Sequence, residues 1–390
     1  MSAQTQTEPL YFSSIEPGQI ESQLDRLLDD NRKQIELLTS AETPVSWDTL
    51  VAPLLDLEDR IEQFWSPVLH LNAVAQTPEI RKAVEAGLPK LSDYQTELGQ
   101  NQALFQAFKT LRENDDFSSL SIDKQQYIKN TLIDFKHSGI SLSIEDQAVF
   151  KAHKSRLSAL SSQFANNLMD ATDAWSLTIT DKQRLDGLPE EALAQFAQQA
   201  KDQGESGYRI TLTQPDFMAV MRFAADRELR ETLYHAFSTR ASEIGPDQGR
   251  FDNSAIMDEI LALRHEIAQM LGFEQYADLS LQKKMANSVA TVDAFLQELT
   301  EHARPKAKQE LAELTEFAKQ RDGIYPLQAW DVPYYSELKR QHDFDFSEQD
   351  IKPYFPADQV INGLFEICSK LFGLTTVSYT HLTLPTIYSV

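Results

Sequence analysis

The sequence predicts a mainly α-helical protein with a small β element near 175–213. Three observations carry this. Apolar residues recur at helical spacing through most of the chain, only two short stretches alternate at period two, and Gly87, Gly99 and Gly139 punctuate successive periodic runs.

Taken in order, Ile20, Leu24, Leu27, Leu28, Ile35 and Leu38 share one face and predict the first long helix. Thr43-Pro-Val-Ser46 interrupts it. Ser46 is placed to cap a helix carrying Leu50, Leu54, Ile61 and Phe64, in which Pro53 should lie early and Pro67 should lie early or kink the axis. Further helices are expected at 78–87, 89–98, 101–113 and 121–137, with the three glycines as stops. Ser143 and Asp146 resemble a capping box at the head of a helix whose stripe is Val149, His153, Leu157, Leu160, Phe164 and Leu168. Trp175, Leu177 and Ile179 alternate with polar residues, as do Tyr208, Ile210 and Leu212, which predicts two strands. A helix from Leu188-Pro-Glu-Glu to about Gln203 lies between them.

Composition narrows the function classes. Against 59 Asp and Glu there are 36 Lys and Arg, a formal net charge of -23. Such a surface repels phosphate backbones, so no nucleic-acid partner is expected. The single Cys forms no intrachain disulfide and no cysteine-based zinc knuckle. The N-terminus has neither a basic region nor an apolar run, and no segment reaches the ~18 apolar residues of a membrane helix. A cytoplasmic protein without a membrane partner is the expectation.

An acidic helical chain invites a search for His-Glu-x-x-His, in which two histidines on one helical face hold zinc and the glutamate is the base. The histidines are 70, 137, 153, 235, 265, 302, 342 and 381, and no two stand four apart. The nearest approach, His265-Glu266-Ile-Ala-Gln269, has glutamine in the second position. Ile256, Ile260, Leu263, Ile267 and Leu271 define the inner face of that helix, and His265 and Gln269 fall about 160° away from its centre. His153 lies within an apolar stripe and reads as a partly buried, hydrogen-bonded side chain. His342-Asp343-Phe344-Asp345 reads as a polar helix end. Cys368, on a face with Leu364, Phe365, Leu371 and Phe372, reads as a buried small hydrophobe. No phosphate loop or nucleophile elbow is present. The residues assign no catalytic, cofactor-binding or metal-ligating position.

Several strings in order resemble the thimet oligopeptidase family of zinc metallopeptidases. They include Trp65-Ser-Pro-Val-Leu-His-Leu-Asn72, Leu98-Gly-Gln-Asn-Gln-Ala-Leu-Phe105, Arg230-Glu-Thr-Leu-Tyr234 and Arg240-Ala-Ser242. Asp252-Asn253, Leu263-Arg-His-Glu-Ile-Ala-Gln-Met-Leu-Gly-Phe273, Lys284-Met-Ala286, Trp330-Asp-Val-Pro-Tyr-Tyr335 and Lys352-Pro-Tyr-Phe355 follow, so the resemblance runs from about residue 10 to 374. It implies a two-lobed helical body with a channel for short unstructured peptides, monomeric when complete. It also implies zinc held by two histidines and a later glutamate, with the metal polarising the scissile carbonyl and activating water. That zinc-binding helix is expected beyond Lys352-Pro-Tyr-Phe355, and no family site residue has a counterpart here. Zinc is therefore expected in the full-length enzyme and not on this chain. A dipeptidyl carboxypeptidase of the same family, and a non-catalytic helical peptide-binding protein, are the alternative readings.

The expected organisation is a disordered start at 1–10, an N-terminal helical domain at 11–142, and the beginning of a peptidase domain at 143–376. Val377 to Val390, without a single Asp, Glu, Lys or Arg, reads as a non-native tail such as translated adapter sequence, which removes functional weight from His381. Apolar faces between about 250 and 374 are expected to lie uncovered when the rest of the enzyme is missing.

Overall fold

The structure is a computed structural model describing residues 12–40, 44–345 and 351–376. The expected disordered start at 1–10 and the tail from Val377, with His381, lie outside the described residues. The described chain is mainly α, as predicted, and divides into two compact units. One comprises Phe12–Leu177 and His235–Ala307; the other comprises Thr178–Tyr234 and the residues from Lys308 onward.

The first unit is built on α1 (Pro17–Leu38), whose Ile20, Leu24, Leu28 and Ile35 are buried as their spacing predicts. Ser46 caps the next segment. Its hydroxyl accepts from the Thr49 N–H at 3.2 Å, and its own N–H donates to Thr49 Oγ1 at 3.0 Å. One wide turn, Trp47–Val51, leads into α2 (Ala52–Val74), with Pro53 in the first turn and Pro67 inside the helix. The two helices expected at 78–87 and 89–98 are one, α3 (Pro78–Gly99). Gly87 is a point of close approach and not a stop: a Cβ there would lie 2.3 Å from the Trp65 ring of α2. Asn101 caps α4 (Gln102–Glu113), and Gly139, at φ +80°, follows α5 (Ile122–His137).

Helix α6 (Ile144–Asp173) starts where Ser143 accepts from the Asp146 N–H at 3.1 Å. The Ser143 hydroxyl donates to the Asp146 carboxylate at 2.7 Å, so this is a one-sided version of the expected box. Phe150, Leu160 and Ala171 are buried, whereas Val149 and Leu168, assigned to the inner stripe, are exposed. Each four-residue step turns the stripe by about 40°, which leaves those two at opposite margins of the arc. Helix α3 packs on α1 and α6, and α6 packs on α10 (Ser254–Met270).

In the second unit, β1 (Ser176–Ile179), which begins at the division, pairs antiparallel with β2 (Tyr208–Thr211), and α7 (Glu190–Asp202) lies between them in sequence. Buried Asp216, in α8 (Gln214–Phe223), joins these pieces. Its carboxylate accepts from the Thr211 N–H at 2.9 Å, Thr211 Oγ1 at 2.7 Å and Gln195 Nε2 at 2.8 Å. The division falls within α9 (Arg227–Ser238), and α10 and α11 (Tyr276–Leu281) belong to the first unit. Long α12 (Val289–Asp322) spans both parts of the division, and α13 (Val332–Phe344) and α14 (Ala357–Phe372) follow it.

Two of the family-like strings meet inside the second unit. Asp331, ahead of α13, is 0% exposed and Arg230 of α9 only 1%. Asp331 Oδ1 accepts from Arg230 Nη2 at 3.1 Å and from Arg227 Nε at 2.9 Å, while Oδ2 accepts from Arg227 Nη2 at 2.8 Å and the Gln328 N–H at 3.0 Å. Arg230 also donates to the carbonyls of Ala224 at 2.7 Å and Trp330 at 3.2 Å, and its guanidinium lies 4.1 Å from the centre of the Tyr334 ring. Burial alone would raise the Asp331 carboxyl. Hydrogen bonds from Arg227, the Gln328 N–H and Arg230 outweigh it and hold the group below the usual carboxylate range.

Helix α14 departs from expectation in one respect. Cys368 is only half-buried, and Leu364, Phe365, Leu371 and Phe372 on its face are all exposed, Phe372 by 70%. The pattern was amphipathic as read, but no residue of the helix is buried among the described residues. Phe295, Leu296, Leu299 and Leu311 of α12 are likewise exposed, in line with the uncovered apolar surface expected between 250 and 374.

Two outcomes follow. Asp331→Asn, which leaves Arg230 buried without its counter-charge, should cost about 3–5 kcal/mol in a urea melt at pH 7. The depressed carboxyl contributes stability above its unfolded value of ~3.9 and loses it as pH falls through the lower folded value, so the gap between parent and variant should narrow below about pH 4. A gap constant from neutral to acid pH would contradict this. Secondly, the chain should bind a hydrophobic dye strongly. Leu364→Ser with Phe372→Ser should reduce that signal while moving stability by no more than about 0.5 kcal/mol, as for surface changes. Loss of cooperative unfolding in the double variant would show that the face is packed.

Candidate functional site

The helix nearest to a metal motif is α10. It turns Ile256, Leu263, Ile267 and Ala268 inward, and Ile256 and Leu263 cluster with Leu160 of α6. His265 and Gln269 are exposed, as their angular position predicts. Gln269 is occupied in ending the helix, its Nε2 donating to the Glu274 carbonyl at 2.8 Å. Glu266 Oε2 lies 3.4 Å from His153 Nε2, so His153 is the partly buried, partnered histidine expected of its stripe.

His342 ends α13, with Nδ1 at 2.9 Å from Asp343 Oδ1, and Asp343 also pairs with Lys339. Burial pulls His137 below the ordinary imidazole value, against the opposing charge of Asp134. Zinc in a protein needs three or four N, O or S ligands converging at about 2.0–2.3 Å. His153 and Glu266 supply two groups. Among the described residues no set of three or more His, Cys, Asp or Glu is placed to hold a metal. The described residues bring together no donor set that fits zinc.

Sequence reasoning missed a cavity of about 490 Å³ in the first unit. Its floor is apolar, with Leu54, Leu98, Leu104, Phe108 and Phe135, and its polar edge carries Glu58, Tyr127, Asp134 and Lys283. Lys283 pairs with Asp134. Glu58 stays open to solvent at the mouth, but desolvation by its surroundings, with the negative charge of Asp134 second, pushes its carboxyl above the ordinary value. Tyr127 is pushed up to about 12, first by burial and then by Glu58. These groups come from α2, α5 and the segment after α11, and no motif spacing links them.

Comparison with known proteins places these features in a family. Residues 24–147 match the N-terminal domain of neurolysin and thimet oligopeptidase, and residues 220–386 match peptidase family M3. Oligopeptidase A of Salmonella typhimurium is 42% identical over 369 residues, covering 95% of this chain and 54% of that protein. Oligopeptidase A of Escherichia coli is 42% identical over 364 residues, 93% of this chain and 54% of its own length. A dipeptidyl carboxypeptidase of Escherichia coli is 25% identical over 372 residues, 94% of this chain and 54% of the relative. The chain thus spans about half the length of the curated relatives it matches. With two family matches in order and this identity along nearly all of it, the chain belongs to the thimet oligopeptidase family, peptidase family M3.

Proposed function

We propose that this chain is part of a zinc-dependent endo-oligopeptidase that hydrolyses short peptides inside a channel, and that its 390 residues alone do not catalyse the reaction. The observation that carries the first half is continuous identity with oligopeptidase A, 42% against 25% for the dipeptidyl carboxypeptidase. That difference favours internal cleavage over removal of C-terminal dipeptides. The second half rests on the ligand inventory: eight histidines, no two four apart, and the one near-match with a glutamine that ends its helix.

On this reading residues 11–142 form the N-terminal helical domain and residues 143–376 begin the peptidase domain, which the N-terminal-domain match over 24–147 supports. The complete enzyme is a cytoplasmic monomer that takes short peptides as substrates and holds zinc on residues other than those present here. No catalytic step is assigned to His265, Glu266, His153, His342 or Cys368.

The test is turnover of an internally quenched peptide by the purified chain, with and without added zinc. The expected rate is that of buffer under both conditions. Cleavage that a chelator abolishes and zinc restores would refute the proposal.

A further inference from the structure

We propose that the cavity lined by α2, α3, α4 and α5 is a binding site for an organic cation, an ammonium or guanidinium group on an apolar stem. Three features of the cavity define its occupant. The first is size: about 490 Å³ lies within the ~300–1,000 Å³ of small-molecule pockets and holds a whole aliphatic or aromatic group. The second is the floor, where Leu54, Leu104, Phe108 and Phe135 belong to the hydrophobic core of the unit and reach the cavity wall. An apolar stem laid there continues the packing of that core.

The third feature is charge. Two carboxylates stand at the edge, and Lys283 answers only one of them, Asp134. Glu58 has no ion pair among the described residues, and the causes acting on its carboxyl all disfavour its charged form. A cation beside Glu58 supplies the missing counter-charge, and Asp134 strengthens the local field. Tyr127, whose phenol stays protonated at neutral pH, and the side chains of Asn130 and Thr131 offer neutral polar contacts at the same edge. An anion of the same shape meets two carboxylates against one lysine and is disfavoured. This proposal stands independently of the peptidase reading, because every residue in it lies within the first unit and that reading assigns none of them a role.

The test is isothermal titration of the full 390-residue chain with hexylammonium, hexanol and hexanoate, probes that share a stem and differ in head group. Hexylammonium should bind most tightly and hexanoate least. Glu58→Gln lies at the solvent-open edge, so it should fold normally. It should weaken hexylammonium by about tenfold or more, the loss of a charge-assisted hydrogen bond, while leaving hexanol unchanged. A tripeptide with a central arginine, acetylated and amidated at its ends, distinguishes the source. Its binding would identify a basic peptide side chain as occupant, and hexylammonium binding alone would identify a free amine. Equal affinity for hexanol and hexylammonium, indifference to Glu58→Gln, or no heat from either cation would overturn the proposal.

Discussion

A carboxylate with no exposure cannot stay charged unless the fold supplies what water would have given it. The Asp331 carboxylate accepts five hydrogen bonds from three residues, and Arg230, equally enclosed, spends its donors on Asp331 and on backbone carbonyls. Each group would be costly alone, because the desolvation of a buried ion is several kcal/mol. They therefore have to arrive together, which joins α9 to the start of α13 across about a hundred residues of sequence. Tyr234 and Trp330, with ring centres 5.9 Å apart, and Tyr334 over Arg230 close the same junction with aromatic surface. Nearby, Glu337 is held by Arg222 at 2.8 Å and Arg340 at 2.7 Å, and the Arg184–Asp226 pair at 2.7 Å adds a further tie within the unit.

Much of this architecture could be read from local pattern. The inner faces of α1 and α10 followed from apolar spacing, and caps at Ser46 and Ser143 followed from the residues that can accept a backbone N–H. The failures have a common origin in distance along the chain. Gly87 looks like a stop until Trp65, from another helix, is seen to fill the space beside it. Cys368 looks like a buried side chain until its face, Leu364 and Phe372 included, is seen to be exposed. The partnership of Arg230 with Asp331, and the convergence of Glu58, Tyr127 and Lys283 on one cavity, leave no periodic trace at all.

The candidate metal chemistry was more legible than the candidate binding chemistry. Metal sites on helices impose short spacings, and the sequence shows at once that no two of its eight histidines stand four apart. A cavity for an organic cation imposes no spacing; its parts need only end up on facing helices. The acidic balance of the chain gave a bulk sign, -23, but not the place where one carboxylate is left without a partner.

The described residues carry helices, a buried ionic junction at Asp331 and Arg230, and an exposed apolar face on α14. The proposal most open to direct test is that this chain alone does not hold zinc. The most direct measurement is the metal content of the folded chain after equilibration with zinc and exhaustive dialysis. The account predicts far less than one zinc per chain. One zinc per chain, retained through dialysis and released on unfolding, would contradict it.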